Sequence, residues 1–342
     1  MDNAIDKIWF CDSLAGYALS YKTILKTHDG GNSWHIQTET KNGLLQDLQF
    51  YNSKIGYVCG YGGTIYRTDD GGENWLRCGK GITENLEDID FIDENTGWAV
   101  GYYGTILHTK DSGEIWEKQQ LPEECESVFF RAVDFLDDKT GWAAGGAYIL
   151  STENGGITWQ IQLKTEMDDA GGRFRDIKLL NKNLGFAVGQ KGFSGPGILY
   201  KTSDGGNSWL RVDEGNLPNL DKVFFIDDDY GWICGWGILL STNDGGSYWQ
   251  ADYFLEFLRY MQFTDREHGW ISALDEGSFY RTTDAGKTWK DIPFENRFNK
   301  FFNSFFFFNN KQGVAATFLF CDIFSSNDGG LHWLHEERLP PA

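Results

Sequence analysis

The chain is poor in the residues on which disulfide frameworks and metal sites depend. Only six of its 342 residues are cysteine, and no two of them form a Cys-x-x-Cys pair, which argues against a zinc site or a thioredoxin-like redox motif. Cys59 and Cys234 occupy equivalent places in two similar segments, so we expect both to be buried as small apolar side chains. Cys78 and Cys125 could pair, although spacing alone does not determine a disulfide.

Proline and long apolar runs are also scarce. No run reaches the roughly 18 residues of a membrane-spanning helix, and the phenylalanine run at 305–308 is far too short. Six prolines stand beside 42 glycines and 16% aromatic residues, a composition that fits an all-β protein. We therefore expect no membrane insertion.

Basic residues are outnumbered, with 30 Lys and Arg against 50 Asp and Glu and a formal net charge of −20. Long-range repulsion disfavours nonspecific binding to nucleic acid or to an anionic membrane surface, whereas a cationic partner stays open. The first seven residues lack the basic region and apolar core of a signal peptide. The compartment is left open, with an extracellular or periplasmic location favoured if a signal peptide has been removed.

One short repeat, by contrast, is abundant. Residues 27–34, Thr-His-Asp-Gly-Gly-Asn-Ser-Trp, recur with small changes seven more times. The third residues of the copies are Asp29, Asp70, Asp111, Asn154, Asp204, Asp244, Asp284 and Asp328. Their side-chain oxygens can accept hydrogen bonds from backbone N–H groups just ahead, and glycine supplies the positive φ of a tight turn. We interpret the copies as structural turns rather than as a row of catalytic carboxylates.

Each repeat predicts four short strands. In the second repeat, apolar Leu48 and Phe50 alternate with polar neighbours, as in a half-buried strand. Four-stranded meanders at this period are typical of propeller blades, which need closure into a ring. The prediction is an all-β fold, a single β-propeller domain over residues 1–342 with four-stranded antiparallel blades, eight in number, with seven as the alternative. The repeats are placed at about 4–44, 45–85, 86–128, 129–172, 173–218, 219–256, 257–300 and 301–342.

The ring must also be held where the two chain ends meet. No strand is expected to be exchanged across this seam, so side-chain packing has to hold it. The phenylalanine-rich start of the last repeat, at 301–308, is predicted to supply that packing. The alternative is an exposed patch that binds a partner.

The sequence between Asp88 and Leu107, Asp-Ile-Asp-Phe-Ile-Asp-Glu-Asn-Thr-Gly-Trp-Ala-Val-Gly-Tyr-Tyr-Gly-Thr-Ile-Leu, leads into the copy at 109–116. It closely resembles the photosystem II assembly and stability factor family, whose propellers are built from bacterial neuraminidase repeats, also called Asp boxes. The resemblance covers residues 4–339 and implies a propeller, structural Asp boxes between third and fourth strands, and a binding site on the opposite face. The photosynthetic members are similar to seven-bladed rings with a basic surface, so photosystem binding is not carried over to this acidic chain of eight repeats.

Aromatic residues concentrate in the predicted turns between second and third strands, on the face opposite the Asp boxes. They are Tyr21, Tyr61, Tyr102, Tyr103, Tyr148, Phe193, Trp236 and Phe318. Such rings suit sugar stacking or an apolar protein partner, and the alternative is that they cap the contacts between blades. The binding hypothesis uses Tyr61, Tyr102, Tyr103, Tyr148, Phe193 and Trp236. The crossover at 164–172 and the extended turn at 189–197 fall on one sector of the same face, where loop extensions favour binding.

Charged residues at the start of the first strands offer an enzymatic alternative. Arg131, Arg175 and Arg259 could together bind a carboxylate, and Glu87 or Asp88 could supply an acid or a base. Against this, the Arg-Ile-Pro signature of sialidases is absent, and ion pairs around the ring are an ordinary way to line a propeller channel. The six histidines are scattered, so neither a metal nor a cofactor is expected.

Together these patterns predict a non-enzymatic binding or scaffold propeller that recognises a protein or a glycan through the face opposite the Asp boxes. The alternative is a glycoside hydrolase, similar to a sialidase or a xyloglucanase, with acidic residues at the channel mouth. Ligand identity and oligomeric state do not follow from the sequence.

Overall fold

A computed structural model describes residues 5–40, 43–165, 172–192, 195–212, 216–273, 278–292, 302–317 and 322–338. These residues form β-strands and one 3₁₀ turn at Glu123–Cys125. The strands of the first four repeats are β1 Ile5–Phe10, β2 Gly16–Ser20, β3 Thr23–Thr27, β4 His35–Glu39, β5 Leu45–Phe50, β6 Gly56–Gly60, β7 Thr64–Thr68, β8 Leu76–Cys78, β9 Leu86–Phe91, β10 Gly97–Gly101, β11 Thr105–Thr109, β12 Glu117–Lys118, β13 Phe130–Phe135, β14 Gly141–Gly145, β15 Tyr148–Thr152 and β16 Gln160–Lys164. The remaining strands are β17 Gly172–Leu179, β18 Gly185–Lys191, β19 Gly197–Thr202, β20 Leu210–Arg211, β21 Leu220–Phe225, β22 Gly231–Thr242, β23 Gln250–Phe263, β24 Gly269–Ala273, β25 Phe279–Thr282, β26 Lys290–Ile292, β27 Phe302–Phe307, β28 Gly313–Thr317, β29 Asp322–Ser326 and β30 Leu334–Arg338.

The strands form antiparallel meanders, as the alternating patterns predict. Six sheets have four strands each, β1–β4, β5–β8, β9–β12, β13–β16, β17–β20 and β27–β30, and one sheet has six strands, β21–β26. The fold is a single all-β propeller of antiparallel blades.

The number of blades differs from the main prediction. Counted as hydrogen-bonded sheets there are seven blades, which is the alternative, so the prediction of eight was wrong. The two long strands β22 and β23 account for the difference, because they keep the predicted repeats at 219–256 and 257–300 in one ladder. Within β22, Gly237 has a φ of 65°. It lies at a register shift between Trp236 and Ile238, where β22 remains paired with β23. The repeat boundaries themselves remain predictions.

Aromatic rings join each repeat to the next. The ring of Tyr57, in a second strand, stacks on Phe91 in the following first strand, with centroids 3.5 Å apart. Trp98 stacks on Phe135 at 3.5 Å in the same way. The glycine that opens a second strand makes room for such a phenylalanine: a Cβ on Gly97 would lie 2.5 Å from the Phe91 ring. The Gly-Tyr and Gly-Trp pairs that open second strands, such as Gly56-Tyr57 and Gly97-Trp98, therefore indicate this packing.

The seam of the ring is closed by side chains, as predicted. The backbone N–H of Ile8 donates to Ser304 Oγ over 2.9 Å, and Asn303 Nδ2 donates to the Ile5 carbonyl over 2.6 Å. The Phe10 ring contacts Phe308 at a centroid distance of 4.7 Å. The phenylalanine-rich start of the last repeat thus packs against the first, and among the described strands none is exchanged between the first and last sheets.

The cysteines are not cross-linked in the part of the chain that the structure describes. Cys59 and Cys234 are fully buried, which confirms their prediction as small apolar core residues. Cys78 and Cys125 are both free thiols, so the pairing that their positions left open is not formed. No helix within the described ranges is long and apolar enough to cross a membrane.

Candidate functional site

The Asp boxes form turns that join third strands to fourth strands, and their hydrogen bonds repeat from copy to copy. In the first copy, Asp29 Oδ1 accepts hydrogen bonds from Thr27 Oγ1 at 2.8 Å and from the Ser33 backbone N–H at 2.9 Å. The Gly31 N–H donates to Thr27 Oγ1 at 2.9 Å. Asn154 accepts the same two bonds, so its amide oxygen replaces the carboxylate.

These local bonds hold the box carboxylates in their charged form. Backbone and side-chain hydrogen bonds from Asn74 lower the pKa of Asp70 to about 2. The pKa of Asp111 is also lowered, chiefly by the Ile115 N–H. Since the carboxylates serve as acceptors inside their own turns, these side chains are engaged before any ligand arrives.

The first strands line the central channel, and their polar side chains bond the next repeat. Asp88 Oδ2 accepts from the Val133 N–H at 2.9 Å, and Asp134 Oδ2 accepts from the Leu179 N–H at 2.6 Å. The same relation, a side-chain oxygen accepting a backbone N–H about 45 residues on, holds for Gln49 with Phe91, Asp90 with Phe135, Asp176 with Val223 and Gln262 with Phe307. Sequence reasoning did not identify these inter-repeat hydrogen bonds.

Opposite charges meet around the channel mouth. Arg175 Nε lies 3.2 Å from Asp221 Oδ1, and Arg259 Nη2 lies 3.9 Å from Asp6 Oδ1. Lys7 contacts Asp47. Arg175 and Arg259 therefore each face a different carboxylate of the protein, which differs from the hypothesis of three arginines gripping one ligand.

The two candidate acids are also occupied. Glu87 Oε1 accepts a hydrogen bond from the Tyr61 hydroxyl over 2.9 Å, and burial raises the pKa of Glu87. Burial and the nearby charge of Asp47 raise the pKa of Asp88 well above its usual value. Burial, the largest single influence, would raise the pKa of Asp47 too, but Lys7, a hydrogen bond with Asp88 and the charge of Lys222 together lower it. Each acid thus has a structural partner.

Three of the aromatic candidates come together with Glu87 and Arg131. The Tyr61 and Tyr102 hydroxyls lie 3.2 Å apart, and the Tyr102 ring contacts Tyr103 at a centroid distance of 6.2 Å. The Tyr102 ring also packs on the Phe129 ring, with centroids 4.0 Å apart. The Arg131 guanidinium lies over the Phe129 ring, 4.4 Å from its centroid. We name Tyr61, Tyr102, Tyr103, Phe129 and Arg131 the mouth cluster. Phe129 was missed because it precedes a strand and has no counterpart pattern.

Arg131 differs from the other mouth arginines. Within the described ranges it has no carboxylate within ion-pair distance, and it rests on the Phe129 ring instead. Burial lowers the pKa of its guanidinium, and the charge of Arg175 acts in the same direction while Glu87 opposes it. An added anionic group would therefore be stabilised beside Arg131.

Tyr103 shows a second unusual feature. Its φ of 57° lies in the left-handed region that glycine favours, and the equivalent residue one repeat earlier is Gly62, with a φ of 66°. The Tyr103 side chain is 69% exposed. A strained, exposed ring at a hairpin tip is a feature that clusters at binding sites.

The remaining aromatic candidates are dispersed. Tyr148 is only 2% exposed, so its ring belongs to the core and is not available as a surface contact. Trp236 is 53% exposed but lies on the six-stranded sheet, against Phe257. Tyr21 lies next to the Lys22 amine. Phe193 and Phe318 lie outside the residues that the structure describes, as do parts of the two loop extensions.

Metal binding has no geometric support in the described ranges. They contain no group of three or more His, Cys, Asp or Glu side chains that could hold an ion. His332 and His335 each face an aspartate, Asp328 and Asp322.

Comparison with solved structures finds the same fold. "YCF48 bound to D1 peptide" matches with 20% identity and a TM-score of 0.59 over 84% of this chain and 91% of that chain. YCF48 from Cyanidioschyzon merolae matches with 18% identity and a TM-score of 0.60 over 84% and 97% of the two chains. An ancestral GH74 enzyme matches with 13% identity and a TM-score of 0.65 over 97% of this chain and 54% of the enzyme. At these identities the likeness concerns the fold.

At the sequence level, no curated protein matches the chain. The family model described as photosynthesis system II assembly factor YCF48 matches residues 35–124, 80–167 and 130–220, which together span more than half of the chain. The chain therefore belongs to the photosynthesis system II assembly factor YCF48 family of β-propellers.

Proposed function

We propose that this protein is a non-enzymatic propeller that binds a protein partner through the mouth cluster. Family membership supports a binding role, and a related propeller has been solved with a bound peptide, the D1 peptide. The observation that carries the proposal is that Arg131 rests on Phe129 and has no carboxylate partner among the described residues, while the exposed, strained Tyr103 contacts Tyr102, whose ring packs on Phe129.

The chemistry of the cluster suggests what the partner offers. Tyrosine rings supply large contact areas at low cost in conformational entropy, and a central arginine is a common contributor of binding energy. Arg131 favours a carboxylate, because burial and Arg175 both disfavour its uncompensated charge. We therefore expect a peptide segment with an apolar or aromatic side chain next to a carboxylate.

Glycoside hydrolysis is not proposed. The candidate acids Glu87 and Asp88 hold Tyr61 and the Val133 N–H respectively, and Asp221 and Asp6 face arginines. A general acid and a base both need access to substrate. The likeness to a GH74 enzyme, at 13% identity, concerns the fold only.

The experiment is a selection of peptides from a random displayed library on the purified protein, followed by titration of the enriched peptides. Tyr102→Ala and Arg131→Gln should each weaken their affinity by about tenfold or more, as loss of a central interface contact does. Trp236→Ala is the matched control, because this exposed aromatic lies on another blade and should leave affinity unchanged. Thermal melts of each variant separate lost binding from lost folding.

Three outcomes would contradict the proposal. They are a selection that enriches no peptide, peptide affinity in Tyr102→Ala and Arg131→Gln that equals that of the unaltered protein, or a loss of affinity in Trp236→Ala as large as in the mouth variants. A parallel glycan array tests the alternative ligand: glycan binding that depends on Tyr102, without peptide binding, would replace the protein partner by a sugar.

A further inference from the structure

A cavity between the third and fourth repeats is lined by none of the mouth-cluster residues. Its volume is about 420 Å³. The lining includes His108, Gln119, which directly follows the fourth strand β12, and the exposed side chains of Ile115 and Ile157. Ile157 belongs to the next Asp box, so the cavity opens between one blade and the box loop of its neighbour.

Three other repeats place a cation at the equivalent position of the third strand, where it contacts the next box. Lys26 pairs across the sheet with Tyr17, lies over its ring and donates to Glu73 in the next box. Lys201 pairs with Phe186, and its amine donates to the carbonyl of Gly245 in the next box at 2.9 Å.

Arg281 follows the same rule in the seventh repeat. It pairs across the sheet with Trp270. Its Nη1 lies 3.4 Å from the Asp328 carbonyl of the next box. A long cationic side chain at this position therefore reaches the neighbouring box loop in three repeats, and Lys26 and Lys201 also lie over the ring of their cross-strand partner.

His108 is the equivalent residue in the third repeat, and it is too short to do this. It pairs with Trp98 and stacks on that ring, with centroids 4.6 Å apart and planes at 3°. The side chain is 6% exposed, and its Nε2 has no hydrogen-bond partner. Burial, with Lys110 acting in the same direction, lowers the pKa of His108 to about 4, so the ring is neutral at pH 7.

We propose that this cavity binds an arginine side chain of a basic protein partner, which takes the place that Lys26, Lys201 and Arg281 fill elsewhere. A guanidinium can donate hydrogen bonds to a neutral imidazole nitrogen, such as the unpartnered His108 Nε2, and to carbonyls. Asp111 and Glu117 lie in the lining, together with Lys110 and Lys118, so the local charges balance. The net charge of −20 draws a cationic partner.

The test uses isolated probes and does not depend on the mouth cluster. Nα-acetyl-arginine amide is titrated into protein with ¹³C-labelled isoleucine δ-methyl groups, and Nα-acetyl-citrulline amide, which has the same shape and no charge, is the control. The methyl signals of Ile115 and Ile157 should shift with the arginine probe only. His108→Arg should abolish those shifts, because the introduced side chain occupies the cavity, and should raise the thermal unfolding midpoint.

Several results would overturn the inference: no shift with the arginine probe, equal shifts with citrulline, or shifts that persist in a folded His108→Arg protein. The citrulline comparison is made on the unaltered protein, so it stands even if the variant does not fold. Tyr102→Ala should retain the shifts, which separates this site from the proposed peptide site.

Discussion

Two parts of this propeller carry repeated carboxylates, the Asp-box turns and the channel wall, and Asp70 in a box and Asp90 in the channel have pKa values shifted in opposite directions. Box carboxylates accept hydrogen bonds within their own turn, and their pKa values are lowered, as for Asp70 and Asp111. Channel carboxylates accept from the next repeat and are buried, and the pKa values of Asp90 and Asp134 are raised. The same residue type therefore gives opposite pH dependence, because solvation and not the hydrogen bond alone decides the balance.

The comparison also separates repeated chemistry from unique chemistry. The box bonds recur with the same partners in every copy, which is expected of a scaffold. In the part of the chain that the structure describes, the mouth cluster occurs once, where Tyr61, Tyr102 and Arg131 from successive repeats come together. Residues that break a repeat pattern are therefore the better guide to binding here.

The largest effect is expected from removing a channel carboxylate. Asp134→Ala should lower the free energy of unfolding by about 3 kcal/mol, because it leaves the buried Leu179 N–H and the Lys178 amine without their acceptor. Urea unfolding measures the change. Asp134→Asn keeps an oxygen acceptor and is the control; if both variants lose the same amount, the N–H bond is not what Asp134 contributes.

The second-largest effect is expected from the pH dependence that a channel carboxylate gives to the free energy of unfolding. Burial, followed by the charge of Asp134, raises the pKa of Asp90 to about 6. This lies above the unfolded value of about 3.9, so the folded protein binds more protons and its stability falls as the pH rises through that window. Asp90→Asn cannot ionise and should remove roughly 2 kcal/mol of that fall between pH 4 and pH 7.

Asp70 supplies the contrasting case from the box. Its pKa is lowered to about 2, so its contribution is present above the unfolded value and is lost as the pH falls through about 4 to 2. Asp70→Asn should make the free energy of unfolding less dependent on pH, and only in that acid range. Urea unfolding of Asp90→Asn, Asp70→Asn and the unaltered protein from pH 2 to pH 7 gives the pH dependence that each carboxylate contributes. If both contributions to the free energy of unfolding change in the same direction with pH, the contrast between box and channel is wrong.

A single box should contribute a smaller amount. Asp29→Ala removes the acceptor for Thr27 Oγ1, the Ser33 N–H and Ser33 Oγ, and should lower the free energy of unfolding by about 1.5 kcal/mol. Asp29→Asn reproduces the natural Asn154 turn and should lose less. Peptide affinity at the mouth should stay constant in both, which a titration checks; a loss of affinity would place the boxes in the binding machinery.

The smallest effect has the opposite sign. Tyr103→Gly should raise the free energy of unfolding by about 1 kcal/mol, because glycine adopts the left-handed φ of 57° without strain. The same change should weaken peptide binding, since it removes an exposed ring. Gly62→Ala is the matched control at the equivalent hairpin tip and should lower stability. A Tyr103→Gly variant that binds as well as the unaltered protein would remove Tyr103 from the mouth cluster.

Much of the scaffold could be predicted from the sequence, because its determinants are local. The Asp-box turns depend on residues within eight positions of one another, and the strand pattern is visible in stretches such as Leu48 and Phe50. The buried Cys59 and Cys234 followed from their repeat positions. The burial of Tyr148 does not follow from its place at a hairpin tip, because it depends on packing in a core cluster that includes Cys125 and Val128.

The sequence by itself determined the propeller, its repeated turns and the burial of Cys59 and Cys234, since each follows from short, recurring patterns. Only the tertiary structure decided the seven sheets, the partners of the channel charges and the meeting of Tyr61, Tyr102 and Arg131. These depend on contacts between residues about 40 positions apart, and on how far burial shifts each charge. A local pattern does not specify which residue of the next repeat each of these side chains contacts.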